Sequence, residues 1–182
     1  SEGNAGWFID RIIQEVEVYS LLTKKCKVVT DIEDANDDYL WRYAVCGFAD
    51  KIYLLGGYDE DVLEADYCLE FDTKDCSWKY KSPMHEVRED PAACVFEEKI
   101  IVSGGMQYAN EEFVPVNFND EIRYRTINTV EAYDPIEDTW ERLPNMNFTR
   151  VHHQSIAVRN KLFVIGGGTK MNEVYDSTSE RF

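Results

Sequence analysis

One phrase occurs three times along this chain of 182 residues and constrains its fold more than any other feature. Each copy is a lysine, four residues rich in strand formers, and two glycines, and the copies occupy 51–57, 99–105 and 161–167. A glycine pair after such a run permits positive φ and brings the backbone close to a neighbouring strand. We therefore assign a structural role to the paired glycines Gly56, Gly57, Gly104, Gly105, Gly166 and Gly167.

Two further phrases precede the next glycine pair by a fixed number of residues. An aspartate precedes an aromatic residue by six positions three times, at Asp72 and Trp78, Asp134 and Trp140, and Asp176 and Phe182. Each tryptophan is followed at steps of six and ten by a methionine and an arginine, namely Met84 and Arg88, then Met146 and Arg150. A degraded copy precedes them, in which Ser20 and Cys26 keep the step of six. The chain is therefore a repeat with a period of about 50 residues.

Each repeat holds short runs of strand formers separated by turn residues. In the best-defined unit the predicted strands are 92–96, 100–103, 129–133 and 139–142. One sheet of four strands leaves a face exposed, so the units are expected to stack around an axis as blades, with Trp and Tyr side chains between them. The predicted units are 15–40 (partial), 41–84, 85–146 with an insertion at about 108–128, and 147–182 (truncated).

These motifs together resemble the kelch repeat, and the Met and Arg phrases resemble the BTB-kelch, or kelch-like, proteins in particular. The resemblance covers about 15–182. It implies an all-β, kelch-type β-propeller, with three to four blades of four antiparallel strands present in this chain. Family propellers usually have six blades, so we expect the chain to be a piece of a longer polypeptide or to be completed by another chain.

Charge and cysteine content limit the partners. The net charge of −16 disfavours nucleic acid and anionic membranes, because both attract basic proteins. Five cysteines without a C-x-x-C spacing predict reduced thiols and a cytoplasmic location. We expect no metal or other cofactor, because His152 and His153 would point to opposite faces of a strand.

The resemblance also implies a partner-binding face at one mouth of the ring. In kelch-like propellers, peptides contact residues one and three places after the glycine pair and two places after the repeated arginine. Carried onto this chain, with Trp41 assigned to the corresponding place in the first unit, these residues are Trp41, Tyr58, Glu60, Asp90, Met106, Tyr108, His152 and Lys170. The alternative is that they are ordinary exposed loop residues. Acidic-peptide binders carry Arg at such places, whereas Glu60 and Asp90 favour a basic or apolar segment.

Three functions follow from the resemblance. The first is the substrate-recognition propeller of a BTB-kelch adaptor, which reaches a cullin-based ubiquitin ligase through a BTB domain that this chain lacks. The second is a kelch protein that binds or organises actin. The third is a galactose oxidase-like kelch enzyme, for which the chain shows no signature, so we expect a protein-binding platform and no enzyme. Arg88, Arg150, Trp78 and Trp140 are expected to be structural.

Overall fold

A computed structural model describes residues 15–31, 41–59, 63–108, 124–168 and 173–176. All regular structure in these ranges is β-strand, as the sequence predicts. The chain divides into two compact units, Ser1–Tyr39 and Leu40–Phe182.

The first unit contains one antiparallel hairpin. Its strands are β1 (Glu15–Ser20) and β2 (Lys25–Asp31), and Tyr19 pairs with Cys26. A register shift lies between Val16 and Glu17. Leu21 and Leu22 in the turn are exposed, so this hairpin presents an apolar tip.

The first sheet of the second unit is built from the repeat 41–84. Its elements are β3 (Ala44–Phe48), β4 (Lys51–Leu55), β5 (Tyr58–Asp59), β6 (Leu63–Glu64), β7 (Cys68–Asp72) and β8 (Ser77–Tyr80). The sheet order is β3-β4-β7-β8, and β5 and β6 form a small separate hairpin in the loop from β4 to β7.

The second sheet repeats this plan. Its elements are β9 (Ala92–Phe96), β10 (Lys99–Ser103), β11 (Met106–Tyr108), β12 (Tyr124–Thr126), β13 (Val130–Asp134) and β14 (Thr139–Leu143). The order is β14-β13-β10-β9, with the β11–β12 hairpin at the base of the insertion. The four strands match the predicted ones to within one residue.

The third sheet has three strands among the described residues. They are β15 (His153–Val158), β16 (Lys161–Gly166) and β17 (Glu173–Asp176), in the order β15-β16-β17. In all three sheets the first strand lies at one edge, and these inner strands, β3, β9 and β15, pack side by side. Sheets that meet along their first strands are the blades of a propeller, so the predicted fold is confirmed.

Two apolar clusters fill the spaces between the sheets. Between the first and second sheets, Tyr53 and Tyr133 meet edge to face with ring centroids 6.0 Å apart. Trp140 packs against this cluster, and its indole N–H donates to the Ser82 carbonyl at 2.7 Å. Between the second and third sheets, Ile101 and Val130 pack with Leu162. Each sheet therefore buries its apolar faces only with its neighbours.

Candidate functional site

The linkers that lead from one sheet to the next reach the inner strands at the end where the glycine pairs lie. Ser103, which precedes Gly104, pairs with Ala92 at the start of β9. The β9–β10 turn, which contains Glu98, is therefore at the opposite end of the sheet. We call the glycine-pair end the mouth.

Three residues of the mouth have equivalent backbone positions. Arg42, Asp90 and His152 each lie 14 residues before the first glycine of a pair (56−42, 104−90 and 166−152). Their φ angles are 54°, 51° and 55°. Left-handed backbone is uncommon for residues other than glycine and occurs often at functional sites. The repeat thus presents three different side chains from one backbone conformation.

This geometry corrects the place assigned to Trp41. Trp41 forms an isolated antiparallel bridge with Tyr58, just as Glu89 does with Met106. Trp41 is therefore the equivalent of Glu89, and Arg42 is the equivalent of Asp90. The count from the sequence was wrong by one residue.

Side chains of neighbouring linkers meet at the mouth. Arg42 forms an ion pair with Glu89 through Nη1 and Oε1, and the same nitrogen is 3.9 Å from Asp90 Oδ2. His152 Nδ1 is 3.5 Å from Asp90 Oδ2. The Asp90 N–H donates to the Arg42 carbonyl at 2.8 Å, which fixes the two linkers side by side. We call Arg42, Glu89, Asp90 and His152 the linker cluster.

Burial within the linker cluster is uneven. The Arg42 side chain is 51% exposed, whereas that of Glu89 is 2% exposed. The hydrogen bond to Glu89 raises the pKa of Arg42 above its ordinary value, so the guanidinium stays charged. The His152 side chain is exposed.

The remaining candidates lie in the loops after the glycine pairs. Met106 exchanges backbone hydrogen bonds with Glu89, at 2.8 and 2.9 Å, and so lies beside the linker cluster. Tyr108 is in the β11–β12 hairpin, where its ring meets that of Tyr124 with centroids 6.3 Å apart. Glu60 and Lys170 lie outside the described residues. The structure therefore joins Trp41 with Tyr58 and Asp90 with His152, and it pairs Met106 with Glu89, the residue before Asp90.

Arg88 connects two blades. Its backbone carbonyl accepts from the Gly57 N–H at 2.7 Å in the first sheet. Its fully buried guanidinium donates to the carbonyl of Gly104 at 2.9 Å, that of Thr129 at 3.0 Å, and Glu131 Oε1 at 2.9 Å, all in the second sheet.

Arg150 repeats this arrangement one blade further on. Its carbonyl accepts from the Gly105 N–H at 2.8 Å, and its guanidinium donates to the Gly166 carbonyl in the third sheet. A Cβ on Gly104 would lie 2.5 Å from the Arg150 carbonyl oxygen. The close neighbour of the glycine is therefore the arginine linker, whereas the sequence predicted a strand.

A small polar pocket lies beside the β11–β12 hairpin. It has a volume of about 420 Å³, and its lining includes Glu86, Gln107, Arg125 and Thr149. Arg125 donates to Gln107 Oε1 through Nε and Nη2, at 3.1 and 2.7 Å. These polar groups largely satisfy one another.

The histidine pair differs from its predicted arrangement. His153 begins β15 and is buried, with Nε2 2.9 Å from Ser103 Oγ, whereas His152 precedes the strand. His153 therefore belongs to the interface between the second and third blades. No group of three or more potential metal ligands occurs in the described part of the chain.

The cysteines of the sheets are poorly suited to nucleophilic chemistry. Burial raises the pKa of Cys46 to about 11 and that of Cys68 to about 12. Burial, with a smaller contribution from Cys46, raises the pKa of Cys94 to about 12. These thiols stay protonated at neutral pH, and the thiolate is the reactive form.

The described ranges also hold no helix that is long and apolar enough to cross a membrane.

Comparison with known proteins agrees with this architecture. A family model described as the kelch motif matches residues 88–147. Kelch-like protein 7 of Gallus gallus is 31% identical over 178 residues, covering 71% of this chain and 30% of the relative. Kelch repeat and BTB domain-containing protein 1 of Vaccinia virus (strain Copenhagen) is 31% identical over 134 residues, covering 72% of this chain and 21% of the relative.

A solved structure, that of YjhT, has the same fold. The TM-score is 0.67 at 16% sequence identity, covering 88% of this chain and 47% of the YjhT chain.

The class of fold and the resemblance follow from these observations. The described sheets are part of a kelch-repeat β-propeller. Among proteins of that class the chain resembles the BTB-kelch proteins, and it spans about 30% of the length of Kelch-like protein 7. The kelch repeats and the names of the relatives support a protein-interaction propeller.

Proposed function

We propose that the chain recognises a segment of another protein at the mouth of its propeller, without catalysing a reaction. One observation carries this proposal: equivalent linkers present different side chains from one left-handed backbone, and at this end of the sheets buried polar atoms of Trp41, Glu89 and Asp90 have no hydrogen-bond partner among the described residues. A fixed scaffold that presents variable side chains from its loops is typical of recognition surfaces.

The chemistry of the mouth favours a basic or apolar partner. Glu89 and Asp90 place two carboxylates side by side, and the chain as a whole has a net charge of −16. The two carboxylates would repel an acidic segment at short range, and the net charge of the chain would repel it at long range. Trp41, Tyr58 and Met106 add amphipathic and apolar surface of the kind that supplies interface anchors.

We further propose that this propeller is the substrate-recognition part of a BTB-kelch adaptor for a cullin-based ubiquitin ligase, acting in the cytoplasm. Support comes from the Kelch-like and BTB-containing relatives, which are much longer than this chain. A BTB domain would contact the cullin, while the propeller mouth would hold the protein to be ubiquitinated.

The adaptor proposal is tested with the complete gene product in cells. We expect it to co-precipitate a cullin, and substitutions at Tyr58 and Met106 should reduce ubiquitination of one co-purifying protein while leaving cullin binding unchanged. A gene product without a BTB domain, or without cullin binding, would contradict the adaptor role. Co-sedimentation with actin filaments tests the alternative from the sequence, which no contact among the described residues specifically favours.

A further inference from the structure

Glu89 has an unusual environment for a carboxylate at a surface opening. Its backbone N–H and its carbonyl both bond to Met106, and its side chain is 2% exposed. Oε1 accepts from Arg42, but no donor among the described residues bonds to Oε2, which is also buried. A buried carboxylate oxygen without a donor is energetically unfavourable, so natural structures rarely retain one without a reason.

Asp90, the next residue in the chain, presents a second such oxygen. Its Oδ2 is buried, and within the described ranges it has no hydrogen-bond partner. The nearest nitrogens are His152 Nδ1 at 3.5 Å and the guanidinium Nη1 of Arg42 at 3.9 Å, both beyond ordinary hydrogen-bond distance. Glu89 and Asp90 therefore offer two unmet acceptors on consecutive residues, close to one cationic nitrogen.

Arg42 satisfies this pair only in part. A guanidinium can donate five hydrogen bonds and can bind two oxygens at once through its planar fork. Here one nitrogen, Nη1, bonds to one oxygen, while half of the side chain remains in solvent. Because Glu89 is buried, Arg42 can leave only if another cation takes its place, and its half-exposed side chain can then move into solvent.

A third unmet group lies on the residue before Arg42. The Trp41 indole nitrogen Nε1 is a buried donor without an acceptor in the described part of the chain. Trp41 is bridged to Tyr58 as Glu89 is to Met106, so both lie at equivalent places in neighbouring blades. A ligand that fits this region would supply a cation for the carboxylates and an acceptor, such as a peptide carbonyl, for the indole.

We infer that Glu89 and Asp90 form a subsite for one arginine side chain of the bound protein segment, and that Arg42 is an internal competitor for this subsite. This inference rests on the proposed function, because it specifies what the mouth binds. The incoming guanidinium would donate to Glu89 Oε2 and Asp90 Oδ2, while Arg42 would move into solvent. Arginine is favoured over lysine because its fork matches two acceptors, whereas an ammonium is a point charge.

The test is an NMR titration of the 182-residue chain at physiological ionic strength. The probes are three capped pentapeptides, identical except for a central arginine, lysine or norleucine. We expect the arginine peptide to shift the amide signals of residues 41–43 and 89–90, and to bind more tightly than the lysine peptide. Equal binding of all three peptides would overturn the inference.

Variants separate recognition from folding. Glu89→Gln and Asp90→Asn should each weaken binding of the arginine peptide about tenfold, because each removes a charged acceptor. Arg42→Gln should strengthen it roughly two- to fivefold by removing the competitor, a gain that misfolding would not produce. Glu98→Gln and Arg159→Ala are matched controls, since both residues have positive φ and lie in turns at the opposite end of their sheets. Weaker or unchanged binding in Arg42→Gln would contradict the competitor role.

The inference and the proposed function fail in different ways. If Glu89→Gln leaves arginine-peptide binding unchanged while Tyr58 and Met106 variants still impair capture of the protein partner, only the arginine subsite is wrong. If none of the mouth variants affects that partner, the proposed function is wrong as well.

Discussion

Two sets of residues in the same linkers follow opposite rules. Arg88 and Arg150 lie at equivalent positions, are identical, and form the same connection from one blade to the next. Two residues further along, Asp90 and His152 share a backbone conformation but carry different side chains. The repeat therefore fixes the connection between blades while leaving the mouth free to vary.

The arginines of these two sets also differ in environment. Arg88 is fully buried and donates to two carbonyls and one carboxylate through its two terminal nitrogens, whereas its Nε has no acceptor among the described residues. Arg42 is half exposed and bonds to one carboxylate oxygen. The comparison teaches that burial and hydrogen-bond satisfaction, rather than residue type, separate a structural arginine from one that is available for exchange.

Replacing Arg88 should have the largest effect. Arg88→Met removes the guanidinium shared by Glu131 and two carbonyls and leaves this buried carboxylate only its bonds to His85, which should lower the free energy of unfolding by about 3–5 kcal/mol. Arg42→Met should lower it less, by about 1–3 kcal/mol, because Glu89 is buried but the Arg42 side chain is half exposed and water can take its place. Urea denaturation measures both. Similar losses in the two variants would break the comparison, and a double variant with Glu131→Gln should lose less than the sum of its single variants.

Replacing a glycine of the pair should have the next largest effect on the free energy of unfolding. In Gly104→Ala the new Cβ would lie 2.5 Å from the Arg150 carbonyl oxygen at a φ of +57°, so we expect a loss of about 2–4 kcal/mol. Gly166→Ala is the matched control, because Gly166 is the equivalent residue at φ +81° and no atom of the described residues lies within 4 Å of a Cβ there. That variant should lose about 1–2 kcal/mol, from backbone conformation alone. Equal losses would show that the arginine linker does not determine the need for glycine.

Acid should destabilise the blades through a few carboxylates outside the linker cluster. The hydrogen bond from Lys51 holds the pKa of Asp72 below its ordinary value. Burial opposes ionisation of Asp138, but donors including Tyr133 and the Ser82 N–H still lower its pKa. Their contribution is present above the pKa of the unfolded chain, about 4, and is lost as the pH falls through the lower folded values. Urea midpoints from pH 7 to pH 3 should fall less steeply in Asp138→Asn, and an unchanged pH dependence would contradict this.

Features set by residues close together in the sequence were predictable, whereas those set by residues far apart in the sequence were not. The strand bounds and the place of the glycine pairs were predictable because they repeat locally with a fixed spacing. The register assigned to the first unit was wrong by one residue, because the repeated arginine of the later units, Arg88 and Arg150, is replaced there by leucine at position 40. Glu89 was missed because its side-chain partner, Arg42, lies 47 residues earlier in the chain.

The smallest effect on stability is expected at the mouth itself. His152→Ala removes an exposed side chain whose Nδ1 is 3.5 Å from Asp90 Oδ2, so the free energy of unfolding should change by about 0.5 kcal/mol or less. The matched variant is His153→Ala at the buried neighbouring histidine, which removes a ring bonded to Ser103 between two blades and should lose about 1–3 kcal/mol. If His152→Ala destabilised the protein as much as His153→Ala, the mouth would be part of the connection between blades, and its side chains would not be free to vary with the partner.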